Sequence, residues 1–119
     1  MRRERQVPEN ARAFIIQKVI RNAELINRRI EENYITKDSY ARSTDYQGLL
    51  TMPMLRICEL VSEYTIVFEG IDPEYPWRDV AKMRSKIAHP YGGFDFDFVW
   101  EAIQVDLPGL VAVCKRAIC

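Results

Sequence analysis

Arg84 stands five residues before His89, the only histidine in the chain, and Tyr91 follows two residues later, in the run Met83-Arg84-Ser85-Lys86-Ile87-Ala88-His89-Pro90-Tyr91. A guanidinium recognises phosphate through paired donors and stabilises charge building on a phosphorane. An imidazole takes or gives a proton near neutral pH. On a helical wheel Trp77, Val80, Ala81, Met83, Ile87 and Ala88 form an apolar arc. Arg84 falls inside it. A guanidinium aimed at packed surface keeps its charge and needs a carboxylate, carbonyls, a partner chain or a ligand anion. Glu59 or Glu63 could satisfy it within the chain.

Proline sets the path of the backbone beyond this helix. A residue before proline is pushed out of the helical region, so Pro90 ends the helix at about Ala88 and starts an extended segment at His89. Two residues on, Tyr91 projects to the same side. Arg84, His89 and Tyr91 are thereby expected to converge on a patch with Gly92-Gly93 leaving room beside it. The chain has no carboxylate cluster and no paired histidines to support metal-assisted hydrolysis, so no metal and no cofactor is expected. RNA offers another route, because its 2′-hydroxyl can attack the adjacent phosphate. That reaction needs a base, an acid and a cation. With one histidine per chain, a two-fold homodimer would supply two His89 and two Arg84 to one cleft.

Helical periodicity dominates the elements that must position these residues. Ile15/Ile16, Val19/Ile20, Ala23, Ile26 and Ile30 mark a first long helix ending near Asn33. Tyr34 to Ser43 is a polar connection with room for a short helical turn. A second helix is expected from about Asp45 to Phe68, kinked or broken near Met52 by Pro53, and stopped with Gly70 as a left-handed C-cap. The third begins at Pro76. The fourth begins at the N-cap Asp95 and is interrupted near Asp106–Leu107 by Pro108. Phe94-Asp95-Phe96-Asp97-Phe98 alternates like a strand but reads as a loop entering a helix. The expected fold is a single all-α domain over residues 1–119, an up-and-down bundle of four to five helices.

The Arg84–Tyr91 run resembles the signature of the HEPN superfamily, specifically the HepT-like toxins of prokaryotic toxin–antitoxin pairs. Pro76-Trp77-Arg78-Asp79-Val80-Ala81 is similar to the family's proline-tryptophan helix start. Phe94-Asp95, Val99-Trp100-Glu101 and Asp106-Leu107-Pro108 are similar to its last helix. Ile57-Cys58-Glu59-Leu60 stands where the family usually has isoleucine, glycine, glutamate and alanine. The resemblance implies a homodimeric, metal-independent endoribonuclease, the toxin of a type II/VII-like module, with Arg84 and His89 as catalytic residues at a dimer cleft. It implies that Ser85 supports them, orienting phosphate or His89. It also implies an MNT-type nucleotidyltransferase antitoxin as partner, able to modify Tyr91 with AMP. The alternative is a non-catalytic HEPN module that binds nucleotide or partner and serves as AMP acceptor and scaffold.

Composition agrees with this class. The 17 Lys+Arg balance the 17 Asp+Glu, but residues 1–30 carry a net +5 and residues 78–86 a net +3, a separation able to draw a polyanion to one face. No apolar run is long enough to cross a membrane, and no apolar signal core follows the basic start, so a cytoplasmic protein is expected. Three cysteines, Cys58, Cys114 and Cys119, without CxxC spacing, give neither a disulfide framework nor a zinc site.

Overall fold

The computed structural model describes residues 7–118; Cys119 and the basic start with Arg2, Arg3 and Arg5 lie outside the described residues. The helices are α1 (Glu9–Asn33), α2 (Lys37–Arg42), α3 (Thr44–Glu63), α4 (Thr65–Ile71), α5 (Trp77–Ile87), α6 (Phe96–Glu101) and α7 (Leu107–Ile118), with a π turn over Ala102–Asp106 joining the last two. Since α4 follows α3 directly and the π turn makes α6 and α7 continuous, these segments run as five rods. The all-α expectation is borne out.

Helix α3 is the centre. It lies against α1 on one side and α5 on the other, and touches α2, α4 and α6. Its sequence explains this: Leu50, Met54, Ile57, Cys58, Leu60 and Val61 are all almost fully buried, an apolar surface too wide for a single neighbour. Helix α1 contributes Ile16, Val19, Ala23 and Ile26 from one stripe, and α7 packs on α1 with Leu110 and Cys114 turned inward. Tyr40 of α2 is buried beneath the rings of Phe96 and Trp100, 5.9 and 5.7 Å away. Its hydroxyl shares a 2.7 Å hydrogen bond with Thr51 on α3, so this short helix ties α3 to α6.

Pro53 does not break the second helix. Proline at position 53 deprives the Leu49 carbonyl of its normal helical donor. The Arg29 guanidinium of α1 donates to that oxygen at 2.7 Å, and α3 continues through Pro53. The interruption comes later, at Tyr64 (φ −118°, ψ 42°), where the Thr65 hydroxyl contacts the Val61 and Ser62 carbonyls, each at 3.0 Å. Gly70 is no C-cap either: it is helical, and α4 ends at Ile71 with an extended Asp72. A Cβ at Gly70 would come within 2.9 Å of the Arg12 guanidinium, the far end of a long side chain that can move aside. Pro108 acts as expected by disturbing its helix, and the disturbance is a π turn: the Leu107 N–H reaches back five residues to the Ala102 carbonyl.

Candidate active site

Helix α5 is anchored at its start. Trp77 is 1 % exposed, stacks with Phe68 and Tyr75 at 5.1 and 4.7 Å, and donates its indole N–H to the Asp72 carbonyl at 2.8 Å. Val80 and Ile87 continue the buried face. The helix packs along α3, and Arg84, Ser85 and Lys86 sit in its last turns.

The helix stops where Pro90 requires. Ala88 is extended, and its backbone pairs with Phe94 in an isolated antiparallel bridge. The His89 N–H donates to the Gly93 carbonyl at 3.2 Å, and the Asp95 N–H to the Ile87 carbonyl at 2.8 Å. Between these rungs, the Gly92 N–H donates to the His89 carbonyl at 3.1 Å and closes a turn with Pro90 and Tyr91 at its tip. Gly92 and Gly93 have φ of +92° and +84°, a region that disfavours residues with a Cβ. Asp95 then caps α6, accepting from the Phe98 N–H at 2.9 Å. The result is a small hairpin clasp joining the end of α5 to the start of α6.

This clasp corrects the sequence reading in one respect. The extended segment stops at His89, and Tyr91 stands at the tip of a turn instead of two steps along a strand. Tyr91 is 100 % exposed. His89 is exposed and lies opposite Gly93, so no cross-strand side chain covers its imidazole. Arg84, His89 and Tyr91 thus occupy one end of the molecule, yet among the described residues no side-chain hydrogen bond joins them. Ser85 donates its hydroxyl to the Lys82 carbonyl at 2.9 Å, within its own helix. Sequence reasoning does not foresee the hairpin. Its signal is the Pro90-Tyr91-Gly92-Gly93 turn between Ala88 and the strand-like start at Phe94.

Arg84 is the informative side chain. Although its Cα lies between those of Trp77 and Val80 on the wheel, the side chain is exposed. Among the described residues its guanidinium makes no ion pair and no hydrogen bond. Glu59 pairs instead with Arg56, at 3.8 Å, and the other α5 arginine, Arg78, pairs with Glu69 at 3.6 Å. Arg84 nevertheless lies near α3. Burial pushes the Cys58 thiol up to about 12, and the charge of Arg84 opposes that rise weakly. The arrangement is an unneutralised cation in the last turns of α5 and an uncovered imidazole on the hydrogen-bonded clasp that follows it. Chemically, it can receive a phosphate and exchange a proton with it. Among the described residues no three His, Cys, Asp or Glu side chains gather where they could hold a metal ion. No helix among them is long and apolar enough to cross a membrane.

Comparison with known proteins finds relatives named as ribonucleases. A protein of Thermococcus cleftensis named probable ribonuclease HepT is 42 % identical over 43 residues, covering 36 % of this chain and 39 % of that protein. A protein of Caldanaerobacter subterraneus subsp. tengcongensis, provisionally named an RNase, is 30 % identical over 57 % of this chain and 64 % of its own length. A third, from Methanocaldococcus jannaschii and also provisionally named an RNase, is 25 % identical over 64 % of this chain and 63 % of its own length. The chain thus spans about two fifths of the first relative and just under two thirds of the other two. No solved structure matches it significantly. The family model described as ribonuclease HepT-like matches residues 16–117, a span that includes α3, α5 and the whole clasp, and the chain belongs to that family.

Proposed function

We propose that this chain is the toxin of a toxin–antitoxin pair, a cytoplasmic endoribonuclease that cuts RNA without a metal ion and is neutralised by a nucleotidyltransferase. The observation that carries the reading is Arg84: a charged side chain rising from the α3-facing side of α5 that the fold leaves unpaired. In the reaction, His89 accepts the proton of the RNA 2′-hydroxyl as that oxygen attacks the adjacent phosphorus. Arg84 holds the phosphorane through paired donors. The P–O5′ bond breaks, leaving a 2′,3′-cyclic phosphate, and a second imidazole protonates the departing 5′-oxygen. A homodimer supplies that imidazole as its own His89, and the two guanidiniums share the developing charge. Ser85 stiffens the last turn of α5 and keeps its oxygen free to accept a hydrogen bond.

Tyr91 fits the regulatory half of the proposal. Its phenol stands fully exposed at the tip of a turn stiffened by Pro90, open to a partner enzyme's active site. Attack of the phenol oxygen on the α-phosphorus of ATP expels pyrophosphate and leaves AMP on the tyrosine. The added negative charge beside Arg84 and His89 then occupies the anion site and repels RNA.

The test is cleavage of an unstructured RNA by the purified dimer in the presence of EDTA. Arg84→Ala and His89→Ala should each lower the rate by about 100-fold or more, with unchanged melting temperature because both side chains are exposed. Tyr91→Phe should cleave normally and gain no AMP when co-expressed with the nucleotidyltransferase. A wild-type dimer that cleaves no RNA under any metal condition would overturn the nuclease reading. An AMP adduct on Tyr91 in such a protein would favour the second reading, an acceptor and scaffold without catalysis.

A further inference from the structure

The backbone of His89 is held by the two residues it faces. The chain leaves α5 through Ala88, whose N–H donates to the Arg84 carbonyl at 2.9 Å. Beyond that point, a residue before proline has a wide range of extended conformations open to it, each sending the imidazole in a different direction. The clasp selects one. The His89 N–H donates to the Gly93 carbonyl at 3.2 Å, and the His89 carbonyl accepts from the Gly92 N–H at 3.1 Å. Two glycines thus oppose one histidine, the pairing of a G1 bulge, a device that re-aims a side chain relative to a regular ladder. Both have positive φ, +92° and +84°. Crowding does not demand glycine here: a Cβ at either position would meet no heavy atom of the described residues within 4 Å. The requirement is for the backbone conformation alone, and the group that conformation holds is His89.

Resting on the nuclease reading above, we infer that Gly92 and Gly93 are positioning residues for the reaction: their positive-φ backbone aims the His89 imidazole at the phosphate that Arg84 receives. The two reacting side chains stand on different supports. Arg84 rises from α5, and the helix itself fixes its Cα. His89 lies past the helix end, and its direction depends on the two hydrogen bonds to the glycines. Proton transfer needs the imidazole nitrogen within about 3 Å of the oxygen it serves. A displacement of about 1 Å costs about 100-fold in rate. Loosening the clasp therefore impairs proton transfer and leaves the phosphate contact in place. In kinetic terms kcat falls and KM does not change.

The experiment measures kcat and KM for RNA cleavage in Gly92→Asn, Gly92→Ala, Gly92→Val and Gly93→Val. Asparagine tolerates the left-handed conformation of a G1 bulge, alanine tolerates it poorly, and the β-branched valine least of all. Gly92→Asn should stay within about threefold of wild-type kcat, Gly92→Ala should lose about tenfold, and both valine variants about 100-fold, with KM unchanged throughout. The order separates aiming from obstruction. Asparagine is bulkier than alanine, so a side chain that merely blocked RNA would do more harm as asparagine and would raise KM. Amide hydrogen exchange at His89 reads the clasp directly, and in the Gly92 variants it should quicken in the same order as kcat falls. Both glycines are exposed, so the circular dichroism spectrum should remain that of the wild type. Valine variants with wild-type kcat would overturn the assignment, as would losses that follow side-chain size or appear in KM alone. A wild-type protein that cleaves no RNA would overturn the nuclease reading itself, and the assignment with it.

Discussion

Arg29 and Arg84 both rise from helices packed against α3, and the fold treats them in opposite ways. Arg29 reaches the Leu49 carbonyl that Pro53 leaves without a donor, and closes the one gap in the central helix. Arg84 meets no acceptor among the described residues. The contrast extends to the regions around them. On the α1–α3 side, Tyr40 pairs with Thr51, and among the described residues no buried side-chain nitrogen or oxygen lacks a partner. At the end of α5, an arginine, a histidine and a tyrosine stand exposed on a backbone fixed by the clasp. A side chain the fold uses stabilises it. One that the fold positions but does not use is available to a ligand.

The largest expected effect comes from exchanging each arginine for methionine, which keeps the aliphatic stem and removes the donors. Arg29→Met should destabilise the protein by about 2 kcal/mol, since it strands a carbonyl within the packing of α1 on α3. Arg84→Met should leave stability unchanged. Urea titration of both variants measures the difference. A Pro53→Ala background sharpens it: alanine restores the N–H that Leu49 lacks, so Arg29→Met should cost clearly less there, and the shortfall is the coupling between proline and arginine. Equal losses in the two backgrounds would mean that Arg29 acts through packing alone.

The same pair of regions shows how much is legible in the sequence. The buried stripes of α1, α3 and α7 follow from apolar spacing, and the end of α5 follows from Pro90, because both are rules about neighbouring residues. Pro53 defeats such rules for a physical reason. Its helix survives through a donor 24 residues earlier in the chain, and no local pattern carries that information. Among the described residues no side chain donates in this way before Pro108, and its helix widens into the π turn. In the candidate site, the sequence marks Arg84, His89 and Tyr91 as residues sharing one end of the molecule. It does not reveal the hairpin, because the two rungs join Ile87–His89 to Gly93–Asp95 through glycine conformations that hydrophobic periodicity does not encode.

An effect that appears only at alkaline pH is expected where the two regions meet, at Cys58. Burial pushes the Cys58 thiol up to about 12, and does the same to Cys114. In the unfolded chain a thiol ionises near 8.5. Between those values the unfolded state has released protons that the native state retains, so stability must fall as pH rises. The slope is at most about 1.4 kcal/mol per pH unit for each thiol, and it should be absent below about pH 8. Urea midpoints at pH 7, 8.5 and 10 would show it, and a Cys58→Ala, Cys114→Ala variant should lose most of the slope. Arg84→Met should extend the fall slightly further, because it removes a charge that favours the Cys58 thiolate.

The smallest effect is expected at Tyr34, which the fold positions at a cost and does not bury. Tyr34 ends α1 with φ 52° and ψ 43°, the one non-glycine residue with positive φ among those described. The Ile35 N–H reaches back to the Ile30 carbonyl at 2.9 Å, closing the helix end, and Ile35 is buried. These contacts dictate the left-handed conformation, which a residue with a Cβ adopts at a cost of about 1 kcal/mol. The tyrosine ring is 87 % exposed, so little packing offsets that cost. Tyr34→Gly should therefore raise stability by up to about 0.5–1 kcal/mol, the gain being reduced by the greater freedom of glycine in the unfolded chain. A loss of stability would show that the ring has a covering partner, and would move Tyr34 from the unused side chains to the used.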